Sequence, residues 1–101
     1  MIVIYGFDPA HFNCVPCVNS KRFCEAKKLE YVFRPITKGK LENGKVEVDD
    51  DVLTEMFARQ GVVHTPGKIP RTTFPQIFHD REGEETVYIG GFDKLRTYKF
   101  V

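Results

Sequence analysis

The sequence has no surplus of either charge: fifteen Lys and Arg stand against fourteen Asp and Glu. The basic footprint that grips nucleic acid or an anionic membrane surface is therefore missing. No apolar run approaches the ~20 residues that would cross a bilayer. Between Met1 and the apolar run Ile2 to Tyr5 there is no room for a basic flank, and no cleavage site follows. A soluble, cytosolic, monomeric chain is expected, with neither nucleic acid nor membrane as a partner. Cysteine is also scarce. Three residues, an odd count with irregular spacing, do not make the disulfide framework of a small secreted fold. There is no internal repeat, linker or low-complexity tract, so residues 1–101 are expected to form one domain. A domain of that size buries roughly two thirds of its unfolded surface and folds without staples.

What is present is an alternation of element types. Ile2 to Tyr5 is rich in β-branched residues and ends at Gly6, which predicts a short buried strand before Asp8 and Pro9 turn the chain into a loop. From about Val15 to Lys28 there is no glycine, and Pro16 lies in the first turn. There its missing N–H costs nothing and its fixed φ suits a helix. Cys17, Ser20, Cys24 and Lys27 follow one stripe of that helix, whose small and apolar members should face a sheet. Glu30 to Ile36, "EYVFRPI", alternates as a second strand that closes near Pro35. The polar stretch "TKGKLENGKVEVDDD" contains Asn43-Gly44, a two-residue turn signal, and is either a small hairpin or a mobile loop.

Asp49, Asp50 and Asp51 precede Val52, Leu53, Met56 and Phe57, a helical pattern stopped by Gly61. The aspartates read as helix-start residues rather than as a metal site. "GVVHTPGKIPRT" carries two prolines and a glycine and reads as loop. "FPQIFHD" and "EETVYIGG" form an antiparallel hairpin with Gly83 in its turn, ended by Gly90 and Gly91. Phe92, Leu95, Tyr98 and Val101 then suggest a short terminal helix. The order is β-α-β-α-β-β-α. A right-handed crossover makes the first two strands parallel, and the last hairpin is antiparallel. The fold class is therefore α/β, a mixed four-stranded sheet with helices on both faces, the thioredoxin-like arrangement.

The chemistry lies in "HFNCVPCVNSKRFC", where Cys14 and Cys17 stand at the first strand-to-helix junction. A thiol at a helix N-terminus meets unpaired N–H groups and the positive end of the macrodipole, which lower its pKa from about 8.5 toward or below 7. Cys14 occupies that end and is the attacking sulfur. Cys17 falls on the same side of the first turn, less exposed, and is the resolving one. His11, Cys14 and Cys17 offer three metal ligands, but no second Cys-x-x-Cys or His pair completes a structural zinc site. Cys24 lies ~10 Å along the axis from Cys17, too far to complete such a site or to pair with Cys17. It reads as a small buried hydrophobe. His11 reads as a solvated loop residue, since thiol–disulfide exchange needs a stabilised thiolate rather than a general base. His64 and His79 have no partner nameable from the sequence.

Four stretches, "VIYGFD", "CVPCVNSKRFC", "TTFPQIF" and "IGGFDKLRTY", carry a resemblance that extends over nearly the whole chain. The chain resembles the glutaredoxins, in particular their short bacteriophage members. The resemblance implies a glutaredoxin-type sheet and a thiol–disulfide oxidoreductase acting through Cys14-Val15-Pro16-Cys17. In that family the residue before the proline of a Thr-x-Pro segment offers its backbone to the cysteinyl part of glutathione or of a substrate chain, and the proline is cis. These positions carry over to Phe74 and Pro75, with Thr73 before them. The Gly-Gly-x-Asp stretch, which meets the amino end of glutathione, carries over to Gly91, Phe92 and Asp93. A carboxylate at a helix start suits an ammonium, and an extended backbone suits a strand edge.

The resemblance further implies no bound cofactor. The reductant would be glutathione or a thioredoxin-reductase-type flavoenzyme, and the clients ribonucleotide reductase or other disulfide proteins. The setting would be the cytoplasm, the host's if the chain is phage-encoded. Two departures stand out. Asn13 occupies the place of a lysine that glutaredoxins often carry, removing one partner for glutathione's carboxylates. Pro16, the redox-tuning position, is thioredoxin-like where glutaredoxins usually have tyrosine. The loops "TKGKLENGKVEV" and "VVHTPGKIPR" are also longer than in the short phage proteins. A redox-inert thioredoxin-like binding module stays open as an alternative, as does a metal or iron–sulfur protein. Retention of both cysteines and of Pro75 favours the enzyme.

Overall fold

The computed structural model describes residues 1–61, 63 and 74–98. Thr73, His64, Val101 and nearly all of the loop assigned between Gly61 and Thr72 lie outside the described residues.

The first strand, β1 (Ile2–Gly6), is buried along its whole length. It runs through the centre of a four-stranded sheet of order β2-β1-β5-β6. It pairs in parallel with β2 (Tyr31–Pro35) and antiparallel with β5 (Gln76–His79), which pairs antiparallel with β6 (Val87–Gly90). Successive side chains of a strand point to opposite faces. Ile2 and Ile4 accordingly join Ile77, Ile89, Cys24 and Leu95 in one core. Val3 and Tyr5 join Phe78, Val52, Leu53, Met56 and Phe57 in another. The helices α1 (Val15–Ala26) and α3 (Phe92–Thr97) cover the first face, and α2 (Asp50–Arg59) covers the second. This is the mixed thioredoxin-like sheet that the order of elements implies.

The polar stretch after β2 is a hairpin, β3 (Thr37–Lys40) paired with β4 (Val46–Val48), and it forms a sheet of its own. Gly44, with φ 82, supplies the left-handed residue of its turn. The full order is therefore β-α-β-β-β-α-β-β-α, the stretch read as either hairpin or loop being the hairpin.

The first helix ends at Ala26, short of the expected Lys28. Lys28 takes φ 57, its N–H returns to the Glu25 carbonyl at 3.1 Å, and the Leu29 N–H reaches the Cys24 carbonyl at 2.9 Å. That is a Schellman stop with lysine in the place usually taken by glycine. Cys17, Ser20 and Cys24, the small and apolar members of the stripe, are buried as expected, and Lys27 is exposed. Asp49 caps α2 by accepting from the N–H groups of Asp51 and Val52, which makes the three aspartates helix-start residues as expected. Gly83, with φ 73, forms the turn between β5 and β6.

Candidate redox site

The loop leaving β1 delivers Cys14 as the N-cap of α1, in extended backbone conformation. Cys14 and Cys17 are joined by a disulfide, with their Cα atoms 5.3 Å apart. The Cys14 Sγ also accepts the Cys17 N–H at 3.3 Å, so a first-turn donor is aimed at this sulfur. Cys14 is 6% exposed and Cys17 fully buried, the order of accessibility read from the sequence. Pro16 lies in the first turn between them and brings no N–H. Its carbonyl accepts the buried Ser20 hydroxyl at 2.8 Å, which satisfies a polar side chain on the inner stripe.

Beside the disulfide runs an open groove of about 450 Å³, lined by Pro16, Phe74, Pro75, Gly91, Phe92, Asp93 and Lys94. The Phe74–Pro75 peptide bond is cis. A Cβ added at Gly91 would stand 3.7 Å from the Pro75 carbonyl oxygen, so the two loops approach closely across the groove. The structure thus brings six of the positions singled out in the sequence, Pro16, Phe74, Pro75, Gly91, Phe92 and Asp93, to one surface. Thr73 lies outside the described residues. Lys94 joins the groove although no motif in the sequence singled it out. The Asp93 carboxylate is 91% exposed, with Arg96 at 3.6 Å.

Phe7 packs against Phe12 and against the groove residue Phe74, with ring centroids 4.6 and 5.2 Å apart. Phe12 and Val15 are exposed. An apolar rim therefore flanks the sulfurs. Phe7 and Phe12 both lie in the short stretch between β1 and Cys14, and that nearness to the cysteines was the available signal.

His11 is not a solvated loop residue. It is half-buried, its Nδ1 lies 3.0 Å from the Thr37 Oγ1, and the same hydroxyl accepts the Asp8 N–H at 3.3 Å. The Asp8 carboxylate in turn accepts the Ala10 N–H at 2.9 Å. The loop entering the site is thereby tied to the first residue of the inserted hairpin. No local pattern in the sequence could show a contact that spans so many residues.

Cys24 is fully buried, and burial, followed by the nearby Glu25 charge, pushes its thiol up to about 11. It is a packed thiol without thiolate character at neutral pH. His79 lies apart from the groove, with its Nδ1 3.0 Å from the Tyr98 hydroxyl, and burial moves its pKa downward. Among the described residues no three His, Cys, Asp or Glu side chains gather as a metal ion would require.

No family model matches the chain. It is 34% identical over 98 residues to the glutaredoxin of Enterobacteria phage T4, an alignment that covers 97% of this chain and 98% of that protein. Among solved structures, glutaredoxin 1 from Francisella tularensis in complex with cacodylate superposes with a TM-score of 0.52 at 22% identity. That match covers 95% of this chain and 87% of the other, and it bears on the fold.

Proposed function

The chain belongs to the glutaredoxin family, and from that premise we propose that it reduces glutathione mixed disulfides and protein disulfides, with Cys14 as the attacking thiolate. The observation that carries this reading is the placement of the Cys14–Cys17 disulfide at the start of α1, next to the groove of Phe74, Pro75 and Gly91 to Asp93. In the reduced protein the Cys14 thiolate attacks the glutathione sulfur of a mixed disulfide. A Cys14–glutathione bond forms, and the substrate leaves as a thiol after taking up a proton. Then either a second glutathione thiolate attacks the glutathione sulfur of that bond, or Cys17 attacks the Cys14 sulfur. The first route regenerates the dithiol and releases oxidised glutathione. The second gives the Cys14–Cys17 disulfide and releases reduced glutathione.

Within the groove, the Phe74 backbone pairs with the cysteinyl part of glutathione and the Asp93 carboxylate meets its free ammonium, Gly91 and Phe92 shaping the space between them. Glutathione or a thioredoxin-reductase-type flavoenzyme returns the electrons. Ribonucleotide reductase is among the protein clients, and the work is done in the cytoplasm, where thiols are kept reduced.

Replacing Asp93 by alanine separates glutathione recognition from disulfide chemistry. The apparent KM for a glutathionylated peptide should rise roughly two- to fivefold, the modest effect of one solvent-exposed charge pair. Activity on a protein disulfide that presents no free γ-glutamyl ammonium should change little. An equal loss on both substrates would make Asp93 a residue of the α3 first turn only, with no part in glutathione binding.

A further inference from the structure

Gly6, the last residue of β1, is buried and faces Cys17. A Cβ built on it would lie 2.7 Å from the Cys17 Sγ and 3.4 Å from both the Cys17 Cβ and the Phe33 Cε2. Sulfur and carbon do not approach to 2.7 Å without one of them moving, so the space occupied by this sulfur exists because residue 6 has no side chain. Gly6 does not need glycine for its backbone, since it is absent from the glycines with positive φ. What it provides is room.

That room does not serve the two redox forms equally. In the disulfide, the Cys17 Sγ is covalently held to the Cys14 Sγ, while its own Cβ is fixed by α1 and the residue is fully buried. The sulfur cannot withdraw from an added methyl group without breaking or distorting that link. In the dithiol, the Cys17 side chain can turn about χ1 to another staggered position. We propose that Gly6 is a positioning residue that sets the redox poise of the Cys14–Cys17 pair, by leaving the hollow in which the Cys17 sulfur rests in the disulfide form. It thereby favours the oxidised product and makes the dithiol a stronger reductant. The inference rests on Cys14 and Cys17 being the exchanging pair, and not on glutathione being the partner.

The test equilibrates wild-type protein and Gly6→Ala with mixtures of reduced and oxidised dithiothreitol, and measures the dithiol fraction by alkylation and mass. Dithiothreitol needs no glutathione groove, so failure of the glutathione reading leaves the measurement intact. In this exchange two electrons and two protons pass from the dithiothreitol thiols to the protein disulfide, giving the protein dithiol and cyclic oxidised dithiothreitol. Gly6→Ala should shift the constant toward the protein dithiol by on the order of tenfold, equivalent to ~30 mV. Gly39→Ala, at a position where an added Cβ has nothing within 4 Å, should leave it unchanged. The oxidised form of Gly6→Ala should also lose more thermal stability than its reduced form. An unchanged constant, or a shift toward the disulfide, overturns the proposal. Should Gly6→Ala fail to fold, adding Cys17→Ala removes the sulfur and should restore folding. Persistent failure of that double variant equally overturns it.

Discussion

Pro16 follows Val15 at the start of α1, between a sulfur that receives a backbone N–H and the residue that donates it. A different residue at this position would supply one more first-turn donor beside the Cys14 sulfur, and a cationic ring would add charge stabilisation. Pro16→His should therefore stabilise the Cys14 thiolate, favour the dithiol, and raise the reduction potential by tens of millivolts. About 30 mV corresponds to ~1.4 kcal/mol. Titration against a glutathione redox buffer measures this. A variant potential at or below the wild-type value would reduce Pro16 to a helix starter. Cys14, Pro16 and Cys17 were legible in the sequence because their geometry is local: a strand end, a cap and a first turn decide it. Gly6 was not, because its role depends on a sulfur brought against it by the packing of α1 on β1. Thr37 stayed hidden for the same reason, since its bonds to Asp8 and His11 close only after β2 has been laid beside β1.

The docking of α2 shows how one helix is tied to the sheet by more than its apolar face. The Glu55 carboxylate accepts from the Tyr5 hydroxyl at 2.6 Å and from two Arg34 nitrogens at 3.2 and 2.8 Å. At the other end of the helix, Arg59 grips Asp80 at 2.7 and 3.1 Å, and the Thr86 hydroxyl donates to the same carboxylate at 2.6 Å. Burial alone would raise the Glu55 pKa, but the hydrogen bonds from Tyr5 and Arg34 outweigh it and hold the carboxyl below its ordinary value. The hydrogen bonds from Arg59 lower Asp80 likewise. Burial, with the hydrogen bond to Glu55, pushes the Tyr5 phenol up to about 12. For both carboxylates the folded pKa lies below the unfolded one. Their contribution is therefore complete above the unfolded values near 4 and is lost as pH falls through the folded ones.

The Glu55 and Asp80 side chains are 40% and 36% exposed, so solvent screening keeps each contribution below about 1 kcal/mol. The double variant Glu55→Gln/Asp80→Asn should be slightly less stable at pH 7 and should lose less stability than the wild type between pH 5 and 2. Urea melts across that range check this, and parallel pH profiles would contradict it. At this scale the sequence disclosed the type of each element of the main sheet and its helices through period and punctuation, and left β3 and β4 open as hairpin or loop. It did not disclose that lysine would end α1, because the left-handed stop at Lys28 sits where a glycine would have signalled it. Asn43-Gly44 marked the inserted hairpin, while its separation from the main sheet depended on tertiary packing.

In the whole molecule, the two cores meet across β1, and the end of that strand leads into the redox loop. A sheet braced on both faces gives the disulfide a rigid base, and the loops after β6 and before β5 bring the groove to it. Chain order and the four family stretches made this arrangement legible. The aromatic rim of Phe7, Phe12 and Phe74 emerged only once the loop leaving β1 met the Phe74–Pro75 segment. The chemistry turns on the division of labour between the two sulfurs, and single-cysteine variants assayed on a glutathionylated peptide test it most directly. Cys14→Ser should abolish deglutathionylation, whereas Cys17→Ser should retain most of it, because a second glutathione can resolve the Cys14 mixed disulfide. Equal loss in both variants, or activity surviving in Cys14→Ser, would contradict the account.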